Sequence, residues 1–128
     1  MGKFSLFGMF RKNNEKSPIF RRNMAARLHG MSVRYITERT GDGVNADGSY
    51  TDDYVIGRGG SIAVIGGEIV VYSSTETVFR SKVELTDMGE LMSGDGVILE
   101  GEDLEHSGVN RRIIAYFTYH LRQRGEKY

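Results

Sequence analysis

Acids and histidines are the side chains in this sequence with the most capacity for chemistry, and their spacing decides what they can do. From Asp42 to Gly48 the chain reads Asp-Gly-Val-Asn-Ala-Asp-Gly, with Asp52 and Asp53 just beyond. Carboxylates this close ligate a hard cation when the register places them correctly. With Asp47-Gly48 at the fifth and sixth positions of an EF-hand loop, Gly43 falls where a carboxylate is needed and Tyr54 where the closing Glu is needed. That register fails, and strand-like flanks predict a hairpin loop held by Asx turns. Gly41 to Ala46 also fits the relaxed dinucleotide pattern. The pattern works only where a helix N-terminus faces pyrophosphate, and here an acidic turn follows instead. No metal and no small-molecule cofactor is expected.

A second acidic stretch holds Glu84, Asp87, Glu90, Asp95, Glu100, Glu102, Asp103 and Glu105 without a single Lys or Arg. Two such carboxylates could share acid and base roles if burial separated their pKa values. Nothing in the neighbouring residues suggests that burial, so a solvated face is the expectation. His29, His106 and His120 each stand without a second His or a carboxylate at ligand spacing, which predicts solvated or edge-strand histidines. There is no Gly-x-Ser-x-Gly elbow. The absence of Cys excludes disulfides, thiolate metal sites and Cys nucleophiles.

Positive charge offers a different chemistry. Residues 1–30 carry seven Lys and Arg against one acid, Glu15, for a net +6, and the remaining ten face 16 acids, for −6. A basic arm on an acidic body is the form expected of a partner-binding segment. Its candidate contacts are Arg21, Arg22 and Arg27. A second candidate set is Arg112, Tyr116 and Arg122, which alternation in the last apolar run puts on one strand face, where an aromatic among arginines could meet a peptide or stack on bases.

The elements that must position these residues are mostly strands. Ile62 to Ile65 and Ile69 to Tyr72 flank Gly66-Gly67, a pair suited to a tight type I′ turn, and Thr77 to Val83 follows after Ser73 to Glu76. A three-stranded antiparallel meander is predicted. Val33, Tyr35 and Thr37 alternate with Arg34, Ile36 and Glu38, and Tyr54 to Ile56 adds a further short run. Leu85, Met88, Leu91 and Met92 have helical spacing, so Glu84 to Met92 is expected to hold a helical turn or two. Val97 to Glu102 is a strand. Asn110 to Arg122 is the longest strand candidate, with Ile113, Ala115, Phe117, Tyr119 and Leu121 facing the core.

Before these strands, Ser17 caps a short helix, Pro18 fits its first turn, and Phe20, Met24 and Leu28 recur every four residues up to Gly30. Its apolar stripe is expected to pack on the β body. The change of texture at Met31 also allows a translation start there. No apolar run is long enough to span a membrane. The stretch Phe4 to Phe10 is short and is followed by Arg11-Lys12 instead of a cleavage site, which argues against secretion and for a cytoplasmic chain.

Two short stretches carry family resemblances. Gly67-Glu-Ile-Val-Val-Tyr with Val78-Phe79-Arg80 is similar to the start of PH-like or GRAM-like lipid-associated domains. Gly89-Glu-Leu with Asp95-Gly-Val-Ile-Leu99 resembles the first motif of the Sm-type RNA-associated barrels, whose second motif has no counterpart here. Neither resemblance assigns a role to any residue.

The expected architecture is mainly β: a small antiparallel β-barrel or roll of about six or seven short strands, with one short helix and a basic N-terminal helical arm. Residues 1–30 form the arm and 31–128 a single β-domain. The expected function is that of a non-enzymatic interaction module, binding a protein partner or forming a homo-oligomer through a sheet edge or through the basic helix. The alternatives are an RNA-associated or anionic-membrane-associated protein working through residues 1–30 and, last, a hydrolase using the acids.

Overall fold

The computed structural model describes residues 17–41 and 53–118. The Asp42 to Asp52 loop, Arg122, His120 and residues 1–16 lie outside them. One helix, α1 (Pro18–Leu28), precedes seven strands: β1 (Ser32–Arg39), β2 (Asp53–Ile65), β3 (Glu68–Ser73), β4 (Glu76–Lys82), β5 (Asp87–Glu90), β6 (Gly96–Asp103) and β7 (Val109–Phe117). They form one sheet in the order β4-β3-β2-β1-β7-β6-β5, with antiparallel neighbours throughout.

The central meander is as expected. Gly66 and Gly67 take φ of 59° and 79°, and Ile65 pairs with Glu68 across the turn they make. The helix also starts as read, with Phe20 N–H donating to Ser17 Oγ at 3.1 Å and Pro18 opening the first turn. Met24, Ala25 and Leu28 are buried, in one core with Val33, Ile62, Ile69, Phe79, Met88, Leu99, Ile113 and Phe117. His29 then fastens the helix end to β2: its Nδ1 accepts Val64 N–H at 2.8 Å, while Gly30 N–H donates to Ile62 O at 2.8 Å. No described helix is long and apolar enough to cross a membrane.

Three local expectations fail for physical reasons. The helical spacing of Leu85 to Met92 does not make a helix: a 3-10 turn, Val83–Leu85, leads into β5, where Met88 pairs with Leu99 and is buried, while Leu85 and Met92 are exposed. Strict alternation in β1 breaks at Arg34, the extra residue between Val33 and Tyr35 against β7, while in the β1–β2 ladder the extra residue is Ile56 of β2, between Val55 and Gly57. A bulge moves the next side chain to the other face, so Val33 and Ile36 both enter the core and Tyr35 stands opposite. The outer face of β7 is not solvated either, since Ile114 and its neighbour Ile98 are fully buried, packed with Leu91 and Tyr116.

The sheet does not close into a barrel. The outermost strands, β4 and β5, share no ladder. The gap between β4 and β6 is instead spanned by side chains. Arg80 N–H on β4 donates to Asp103 Oδ1 on β6 at 3.1 Å and Arg111 Nη1 on β7 donates to Val78 O at 3.1 Å; just past the end of β4, Thr86 Oγ1 turns back to donate to Lys82 O at 2.5 Å. Polar side chains thus satisfy the outer rim of β4, one of the ways a sheet edge is kept from indiscriminate pairing.

Candidate functional site

The site begins with a mismatch of strand lengths. β2 has 13 residues and β3 six, so their ladder covers only Gly60 to Ile65, paired with Ser73 to Glu68. From Asp53 to Arg58, β2 pairs with β1 on one side and, among the described residues, has no ladder on the other. The break is built in. A Cβ at Gly60 would stand 1.8 Å from Tyr72 O, and Gly59 takes φ of 71°, so only glycine fits where β2 leaves β3. Ser73 closes the ladder, its Oγ accepting Arg58 N–H at 3.1 Å, and Ser74 N–H donates to Gly59 O at 2.8 Å. Tyr54 and Val55, 57% and 48% exposed, stand on the unpaired stretch.

Beside this edge lies an open cleft of about 380 Å³. Ile56, Val78 and Thr77 line its walls, with Glu76 at the start of β4, Glu105 and His106 on the 3-10 turn Leu104–His106, and Arg111 beneath.

The cleft rests on a charge network. Asp103 is fully buried. Its Oδ1 accepts Arg80 N–H and, at 2.9 Å, Glu105 N–H; its Oδ2 meets His106 Nδ1 at 2.6 Å and Arg111 Nη1. A buried carboxylate survives only when its lone pairs are filled in this way. Because Asp103 can only accept, His106 Nδ1 carries the proton, and the 3.0 Å approach of Arg111 Nη1 to that nitrogen is a contact between two donors sharing one acid. Arg111 also donates to Glu38 through Nε at 3.2 Å and Nη2 at 2.8 Å. The Glu38 hydrogen bond is the chief reason the Arg111 guanidinium is held above its ordinary pKa, with Asp103 adding to it against burial. On the rim, Arg80 bridges Glu68 at 2.9 Å and Glu105 at 3.1 Å.

The residues chosen from sequence are not brought to one place. Arg21 donates to Asp87 at 2.8 Å and to Glu84 O, and Arg27 reaches Glu90, so β5 acids hold two of the helix arginines while Arg22 is exposed. Arg112 is buried, 3.6 Å from Glu100. Tyr116 stacks on Tyr35 with ring centroids 4.5 Å apart, and Arg34 lies over both rings. Burial first, and Tyr35 second, push the Tyr116 phenol above its usual pKa. A further open cleft, about 390 Å³, runs past Arg39, Glu100, Asn110 and Arg112. There Arg39 forms a two-bond pair with Asp53 at 2.9 and 3.1 Å.

Sequence reasoning missed the Glu38, Asp103, His106 and Arg111 set. The legible signal was Asp103-x-x-His106, an acid and a histidine one turn apart, a spacing that lets an N-cap carboxylate reach the ring. No cluster of three metal-ligating side chains occurs among the described residues. In comparisons with known proteins, the chain matches no family model, no curated protein and no solved structure.

Proposed function

We propose that the chain is a non-enzymatic interaction module that takes up an extended segment of a protein partner as an added strand along Asp53–Gly57. The observation that carries this reading is the half of β2 that, among the described residues, pairs on one side only and borders a cleft. Main-chain groups of such an edge supply affinity to any extended chain, and pockets beside it supply selectivity. In this reading the sheet is a roll left open at β2: side chains satisfy the β4 rim, and the β2 half-edge is the place of entry.

The sheet edge is preferred to the basic helix because Asp87 and Glu90 already neutralise Arg21 and Arg27. Helix-driven binding to nucleic acid or anionic lipid would weaken steeply with salt. The test is a salt series on the partner complex of the full chain, beside the variant Arg22→Glu. Strand addition predicts at most a shallow salt slope and no effect of Arg22→Glu. A steep salt slope together with loss of binding in Arg22→Glu would return the function to the helix.

A further inference from the structure

Resting on the strand-addition reading, we infer that the incoming segment is a basic peptide, with a Lys or Arg whose side chain enters the cleft beside Ile56.

Two properties of the cleft select that side chain. Its lining combines the half-buried apolar side chains of Ile56 and Val78 with the exposed acids Glu76 and Glu105. A long stem with a cationic head matches this division, since Lys and Arg lay their methylenes on apolar surface and keep the charge at the wet end. The charge balance agrees. Of the side chains lining the cleft, Glu76 and Glu105 outnumber Arg111, whose own charge is already met by Glu38 and Asp103. His106 adds no negative charge in either protonation state. An acidic or phosphorylated side chain entering here would meet that excess of carboxylates and be repelled.

Geometry supports the same placement. Ile56 lies both on the unpaired stretch of β2 and on the cleft wall. In an antiparallel pair the residue opposite Ile56 projects to the same face as Ile56. Ile56 is the extra residue of β2 between Val55 and Gly57, so the incoming residue opposite it is the one carried over the cleft.

The test is selection of displayed random peptides on the full chain. The selected sequences are then synthesised and titrated in two forms, one as selected and one with its basic residue replaced by norleucine. The expected result is alternating β-branched peptides sharing one Lys or Arg. Affinity should fall about fivefold on norleucine replacement, or equally with Glu76→Gln and Glu105→Gln combined, the size of partly exposed charge pairs. Glu76 is exposed and the Arg80–Glu105 pair is partly exposed, so thermal unfolding of that variant should shift by no more than a few degrees from the parent, while Glu76→Gln alone should unfold with it. Equal affinity of the two peptide forms, with amide shifts still centred on Asp53–Arg58, would overturn the basic preference and leave strand addition standing. Failure to select any peptide, or shifts confined to other strands, would overturn both.

Discussion

The buried carboxylate of Asp103 on β6 accepts the main-chain N–H of Arg80 on β4, 3.1 Å away across a gap that no ladder bridges. A side chain here does what a neighbouring strand would otherwise do. Because the same carboxylate also takes Glu105 N–H, His106 and Arg111, one residue fixes the β4 rim, the 3-10 turn and the floor of the cleft together.

Asp103→Asn should therefore be costly. The amide keeps one acceptor but places an N–H₂ where Arg111 or His106 donates, and it leaves the half-buried Arg111 short of a counter-charge. Loss of about 3–5 kcal/mol is expected in urea unfolding, the range for breaking a buried ion pair. Glu102→Gln, at the exposed neighbour, should change stability by less than about 0.5 kcal/mol. Equal effects at the two positions would mean that the network contributes nothing.

The helix should contribute through its buried side, not its charge. Leu28→Ala removes a side chain only 2% exposed and is expected to cost about 2–5 kcal/mol. Arg27→Ala, which breaks a pair that is 62% and 41% exposed, should cost under about 1 kcal/mol. Chemical denaturation of both variants checks the ranking, and the reverse order would contradict it.

Alkaline pH should act on Tyr116. Its folded pKa lies above the ordinary 10.0 because burial disfavours the phenolate. A raised folded value means that its stabilising contribution is complete below the unfolded pKa and is lost as pH climbs through the folded one. Tyrosinate absorbance should show one late-titrating group that disappears in Tyr116→Phe, and that variant should lose stability less steeply above pH 10. Superimposable titrations would refute this.

How much could be read in advance followed from how local each cause is. The Gly66-Gly67 turn, the Ser17 cap and the core set Ile113, Ala115 and Phe117 were legible because each depends on neighbours a few residues away. The extra residues at Arg34 in β1 and Ile56 in β2 were not, since a bulge depends on how both partner strands sit. The same holds for Glu84 to Met92: its helical spacing was genuine, but Met88 gains more by pairing with Leu99 and filling the core. Tyr54 to Ile56 was visible as a short run, whereas its continuity with Ile62 to Ile65 through Gly57, Gly59 and Gly60 was hidden by glycines that usually end strands. The Asp103 network escaped because Glu38 and Arg111 are 73 residues apart and meet only through β1–β7 pairing.

Gly60→Ala tests whether that glycine sets the limit of the β2–β3 ladder. Its Cβ would overlap Tyr72 O, so backbone must move, and a loss of about 3 kcal/mol or more is expected. Thermal unfolding showing a near-neutral variant would mean that the break lies elsewhere.

The central claim, that the one-sided half of β2 receives a partner strand, is tested most directly by residue-resolved amide hydrogen exchange of the full chain with and without a selected peptide. New protection should appear within Asp53–Arg58, with the β2–β3 ladder from Gly60 to Ile65 unchanged. Protection appearing on α1 or β5 while Asp53–Arg58 exchanges as before would contradict the account.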